Sequence, residues 1–222
     1  MVRKQSKRAG AWLLAAGMFL LYFAALLAAF HVIGTSDGLY HKLQMRADIL
    51  PEAGISEEEL VAVDASLARY LAGDAAALDD SPFNERELTH MADCFDLFVL
   101  LRRVLAGSIL LAAVLLLCGA AACGCWNFGR AALTGALAFV AVIAALGIWG
   151  AVDFDSLFTA FHHLLFANDL WLLDPRTDLL IRICPQSMFS AMAVMIAGME
   201  LIVIALVNLL SRLATTVLWR NK

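Results

Sequence analysis

Four long apolar runs separated by polar stretches set the pattern of this chain. Uncharged residues fill 9–36, 104–129 and 131–152, and 183–211 is broken only by Glu200. At 1.5 Å rise per residue each run is long enough, as a helix, to cross about 30 Å of hydrocarbon. The pattern predicts an all-α integral membrane protein, a single membrane domain over 1–222. Its four transmembrane helices are expected at about 11–33, 104–122, 131–152 and 189–210. Two segments between them, 34–103 and 153–188, are expected to carry short amphipathic or interfacial helices.

The polar positions orient this arrangement, because Lys and Arg near span ends stay on the cytoplasmic side. Arg3, Lys4, Lys7 and Arg8 precede the first run, Arg130 separates the second and third, and Arg212, Arg220 and Lys222 close the chain. By contrast, 34–101 holds fourteen acidic residues against four basic ones, and 152–188 holds five against two. The bias predicts a multi-pass protein of the plasma membrane with both termini cytoplasmic and the two long segments outside. The first run is too long for a cleaved signal peptide and ends in no A-x-A site, so an uncleaved anchor is expected.

Within the first outer segment, Ser56 and Glu59 have capping-box spacing, and Leu60, Val63, Leu67 and Leu71 then share one helical face up to Gly73. Asn84 and Glu87 repeat the spacing and predict a second helix that runs on into the second span. His90 and Asp93 are three apart on it and therefore neighbours. Arg102 and Arg103 follow at the membrane edge. Such arginines either bind a head group or pair with an intramembrane acid, for which Glu200 is available. In the second outer segment, Asp155 is the expected cap of a helix bearing Phe158, Phe161, His162, Leu165 and Phe166. Trp171 is expected at headgroup level, Asp174-Pro175 is expected to start a helix, and Asp178 and Arg182 are spaced to pair.

Composition sharpens the reading without changing it. The chain is 62% apolar with a mean hydropathy of +0.80, far above ordinary soluble domains. No basic surface suited to nucleic acid is visible. Cys118, Cys123 and Cys125 lie at the inner end of the second span, where Cys123 and Cys125 form a C-G-C pair; Cys94 and Cys184 fall in outer segments, where a disulfide is chemically allowed. Imidazole is the side chain best suited to move protons near neutral pH, which makes His90 and His162 the leading catalytic candidates. His163 points elsewhere on the same helix, and His31 and His41 read as interfacial polar residues. His90, Asp93, His162 and His163 include metal-ligand types, but no H-E-x-x-H spacing is present and adjacent helical histidines diverge by about 100°. Neither a metal nor a cofactor is assigned. Metal-dependent lipid hydrolysis, or a non-catalytic sensor or accessory role, are the alternatives to histidine acid–base chemistry.

The strings Tyr70-Leu71-Ala72-Gly73, Glu87-Leu88-Thr89-His90-Met91-Ala92-Asp93, Phe161-His162-His163-Leu164-Leu165-Phe166 and Trp171-Leu172-Leu173-Asp174-Pro175-Arg176-Thr177-Asp178 resemble, in register, a family of bacterial four-helix membrane proteins that includes the lipoprotein intramolecular transacylases. The resemblance implies transfer of an acyl chain from the glyceryl ester of a lipoprotein's S-diacylglyceryl cysteine to that cysteine's own α-amino group. It implies diacylglyceryl-modified lipoproteins as substrate and membrane lipids as surroundings. His90 and His162 match the family's catalytic histidines, and His163 stands where an acid is expected. Tyr70, Asp93, Arg102, Arg103, His163, Trp171, Asp178 and Arg182 are the expected supporting or substrate-binding residues.

Overall fold

The computed structural model describes residues 2–123 and 128–220, with side chains over 5–123 and 128–216. Cys125 and Lys222 lie outside the described residues, as do the side chains of Arg3, Lys4 and Arg220. Nine helices and no strand are found among the described residues: α1 (Val2–Gly34), α2 (Asp37–Arg46), α3 (Leu50–Ala53), α4 (Glu57–Ala72), α5 (Glu85–Cys123), α6 (Phe128–Val152), α7 (Phe154–Leu165), α8 (Leu179–Ile183) and α9 (Gln186–Arg220). Four of them, α1, α5, α6 and α9, are long and apolar enough to cross a membrane, as the hydropathy pattern predicts. The chain is a four-span, all-α membrane protein.

Two compact units are present. The first combines 1–29, 103–147 and 197–222. Its core is Leu14, Met18 and Tyr22 of α1 against Ala132, Ala136 and Phe139 of α6, with Phe19 edge-on to Phe139 at 5.6 Å. Glycines let the backbones approach. A Cβ on Gly119 would meet the Gly10 carbonyl at 2.9 Å, and one on Gly135 would meet the Phe19 amide nitrogen at 2.9 Å. In lipid, where apolar burial gives little drive, such contacts are what join helices. Tyr22 donates to the Ala132 carbonyl at 3.2 Å and accepts from Asn208 Nδ2 at 3.0 Å. Glu200 is 1% exposed here, and neither carboxylate oxygen has a hydrogen-bond partner among the described residues.

The second unit combines 30–102 and 148–196 and holds the short helices. The capping box at Ser56 and Glu59 forms in full, and Leu60, Val63, Leu67 and Leu71 are buried as their spacing predicts. Helix α2, which the periodicity did not predict, packs on α4, and α3 packs on α8. Gln44 and Asp64, both almost wholly enclosed, bond at 2.9 Å, and Gln44 also donates to the Ile183 carbonyl at 3.0 Å.

Several local expectations are corrected. Asp153, not Asp155, caps α7 by accepting from the Ser156 amide at 3.0 Å, while Asp155 accepts from Gln186. The Asp174-Pro175 step makes turns rather than a helix, because the Asp174 amide is drawn to the Asp178 carboxylate at 2.8 Å, and α8 starts only at Leu179. Arg102 makes no ion pair with Glu200. Its guanidinium donates to the Leu71 carbonyl at 2.8 Å, at the carbonyl end of α4, where a cation meets the negative pole of the helix.

Candidate active site

His90 lies on the second turn of α5 because Asn84 and Glu87 fix where that helix begins. Asn84 Oδ1 accepts from the Arg86 and Glu87 amides at 3.0 and 3.1 Å, and Glu87 returns the bond to the Asn84 amide at 2.9 Å. Glu87 is itself buried, and its other oxygen receives the Leu180 amide at the start of α8. The same turn of α5 also holds the segment after α7. Arg86 donates to the Asp169 and Leu172 carbonyls, and Asn84 Nδ2 donates to Asp178 at 2.9 Å. Asp178 further accepts from Thr177 at 2.7 Å. Burial pushes its carboxyl up, but the bonds from Asp174, Thr177 and Asn84 outweigh that and hold it below the usual carboxylate range.

These ties bring His90 and His162 together. Both are buried, 7% and 8% exposed, with ring centroids 6.4 Å apart. Phe166 lies against both, 5.1 Å from His90 and 5.5 Å from His162. Phe158 and Phe166 are four residues before and after His162, so one stripe of α7 and its C-cap encloses the imidazole, with Phe158 at 4.1 Å. Trp171 stacks on His162 at 4.8 Å and 30°, and His163 meets the same indole edge-on at 5.1 Å. Trp171 is therefore buried on a histidine. His163 is exposed.

The hydrogen bonds fix which nitrogens are available. His162 Nδ1 lies 2.7 Å from the Phe158 carbonyl, which can only accept, so Nδ1 carries the proton and Nε2 keeps its lone pair when the ring is neutral. Burial pushes the His162 imidazole below 6.5; the bond to Phe158 opposes this and His163 adds to it. A ring neutral at pH 7 with a free Nε2 is a general base in form. His90 Nε2 faces Cys94 Sγ at 3.6 Å, and its buried Nδ1 has no partner. Asp93 does not hydrogen-bond His90; it accepts from Asn168 Nδ2 at 2.9 Å.

The other expected residues divide. Tyr70 packs on Phe95 of α5 at 4.8 Å, one turn beyond His90. Arg182 and Asp178 do not form a side-chain pair: Arg182 Nε donates to the Asp178 main-chain carbonyl at 3.2 Å, because the Asp178 carboxylate is already taken. Arg103 is exposed. Cys94 and Cys184 are free thiols. Among the described residues no group of three or more metal-ligating side chains comes together. Asn84, Arg86, Phe166 and Asn168 went unsingled by sequence reasoning as site residues. Two carried a signal, Asn84 by its capping spacing to Glu87 and Phe166 by its four-residue spacing from His162.

Beside the histidines a cavity of about 280 Å³ is lined by Asp93, Asp96, Leu97 and Leu100 of α5 and by the 165–168 segment. Phe166 is common to this cavity and to both imidazoles.

Fold and chemistry together define a class, the four-span membrane acyltransferases. A sequence model described as "Lipoprotein intramolecular transacylase Lit" matches residues 14–189, and the chain belongs to that family. Its reaction is intramolecular acyl transfer within a lipoprotein. The fold is similar to the in meso structure of the membrane integral lipoprotein intramolecular transacylase Lit from Bacillus cereus, at 21% identity and a TM-score of 0.73, covering 100% of this chain and 99% of that one. Structures of the same enzyme carrying a histidine-to-arginine or a histidine-to-alanine substitution align at TM-scores of 0.70 and 0.69, with 20% and 21% identity, covering 100% of this chain and 95% and 96% of theirs. No curated protein matches the chain.

Proposed function

We propose that His162 and His90 are the acid–base pair that moves an acyl chain from the glyceryl ester of an S-diacylglyceryl cysteine to the α-amine of that same residue. The product is an N-acyl, S-monoacylglyceryl lipoprotein. The observation that carries the reading is the pair itself: two buried imidazoles, 6.4 Å apart, each with one nitrogen held by the protein and one left over. At that spacing one ester group lies within hydrogen-bond reach of both rings.

His162 Nε2 takes a proton from the α-ammonium, and the freed nitrogen lone pair attacks the ester carbonyl carbon. As the C–O bond to glycerol breaks, the attacking nitrogen gives its second proton to His90, which hands one to the departing oxygen. An amide forms in place of an ester, one proton passes from nitrogen to oxygen through His90, and the other leaves His162 for solvent. Because nucleophile and ester belong to one molecule, the substrate supplies proximity and the protein has only to fold it into the reactive shape. Asp93, Asn168 and Trp171 hold that shape around the pair.

We infer that the reaction takes place at the outer face of the plasma membrane, with both termini cytoplasmic. Support comes from Lys7, Arg8, Arg130 and Arg212 at one set of span ends and the acidic excess of 34–101 and 152–188 at the other. The test is mass spectrometry of lipoprotein N-termini from cells carrying the wild-type chain or the double variant His90→Ala/His162→Ala. Lyso-form product from the first and unmodified diacyl form from the second is the expected result. Equal product from both overturns the assignment.

A further inference from the structure

Resting on this reading, we propose that the cavity beside the histidines is a subsite for the substrate's cationic N-terminus and the first methylenes of one acyl chain. Its lining is two-sided. Asp93 and Asp96 sit three apart on α5, and Leu97 and Leu100 sit three apart on the next turn, with Leu165, Phe166 and Ala167 opposite. A volume of about 280 Å³ is near the lower end of ligand pockets, suited to part of a lipid and not to a whole one.

Charge decides the headgroup. The ion pairs among the described residues are His41–Glu57 and Arg176–Asp174, so neither Asp93 nor Asp96 is paired with a cation. Asp93 is held by a neutral amide, Asn168 Nδ2, which leaves its charge uncompensated. Two carboxylates at an apolar groove favour a cation joined to hydrocarbon and repel an anionic headgroup. A lipoprotein bearing a free α-ammonium and a diacylglyceryl group has that composition.

Apolarity decides the rest. Leu100 and Leu165 are exposed, and with Leu97 half-buried behind them they give a chain a continuous surface that starts at the acids. Phe166 is the wall shared with both imidazoles, so an ammonium seated at Asp93 and Asp96 has its own ester close to the pair. The subsite holds the amine in its charged form, and His162 removes the proton when the nitrogen moves to the ester. Asp93 and Asp96 are thus specificity residues for a free N-terminus.

The experiment uses lipopeptides with ether links in place of both esters, which bind but cannot react, in two forms: free α-amine and N-acetylated. Binding to the detergent-purified full chain is measured by thermophoresis. Wild type is expected to bind the free amine about threefold to fivefold tighter, the range of a solvent-accessible charge pair. Asp96→Asn is expected to abolish that difference, and Leu100→Asp to weaken both forms alike. Equal affinity in wild type overturns the proposal, as does a preference that survives in both Asp96→Asn and Asp93→Asn. Turnover of the matching diester lipopeptide is scored separately, so loss of the transacylase reading and loss of the subsite are distinguishable.

Discussion

His162 stacks on Trp171 at a centroid separation of 4.8 Å, a contact that sets the plane of the imidazole, while the Phe158 carbonyl sets its rotation about that plane. The ring is thereby held in one tautomer with Nε2 free. Replacing Trp171 by Ala removes the stack but leaves the chemistry of the ring intact. The expected outcome is a fall in kcat with the acid–base pH profile unchanged in form, read from lyso-lipopeptide formation. Trp171→Phe is expected to recover most of the loss.

Each histidine variant alone, His90→Ala or His162→Ala, is expected to lower kcat by about 10²- to 10⁴-fold, the span typical of a general acid or base. Full activity in either single variant removes that residue from the pair.

Activity is expected to fall as the pH drops, because the attacking step needs neutral His162. Burial holds this imidazole below 6.5, so the midpoint of the acid limb of kcat belongs below that value. The stability linkage has the same sign. Between the folded and unfolded values the unfolded chain binds more protons, so the contribution of His162 is present above 6.5 and is lost as the pH falls. A kinetic midpoint above 7 contradicts the role.

Asp64 has the opposite sign. Burial raises its carboxyl from 3.8 to about 6, so its charged form costs the fold stability as pH rises through that window. Gln44 Oε1 and Asp64 Oδ2 both lack partners, and the amide of Asp64→Asn supplies a donor without adding charge. This variant is expected to raise the thermal midpoint at pH 7 and to flatten the pH dependence between about 4 and 6.

A route through an acyl-cysteine requires a thiolate nucleophile. Direct transfer does not. Cys94→Ser and Cys184→Ser are therefore both expected to retain turnover within a few-fold, and near-complete loss in either points to a covalent intermediate.

Gly119→Leu is expected to prevent accumulation of folded protein in the membrane. Its Cβ would fall 2.9 Å from both the Gly10 carbonyl and the Leu14 amide, and backbone cannot give way as a side chain can.

The four spans and the α4 helix were legible because hydropathy and 3.6-residue spacing are local properties of the chain. The histidine pair was legible by residue chemistry and by resemblance. What remained hidden was the set of partners chosen across distance. Arg102 read as binding a head group or pairing with Glu200, because a charge in apolar surroundings needs one or the other, yet a helix C-terminus offers the guanidinium a carbonyl close at hand. Trp171 read as an interfacial anchor since nothing local shows that an imidazole will cover its face. Arg86 and Asn168 gave no signal, because hydrogen bonds over separations of 75 to 86 residues leave no period in a sequence.

The segment after α7 is fastened to α5 by Asn84, Arg86, Glu87 and Asp93 over little more than two helical turns. A strap tied at so many points cannot be lifted one bond at a time, so the indole wall it lays against His162 is built in advance, and an arriving substrate meets a finished surface.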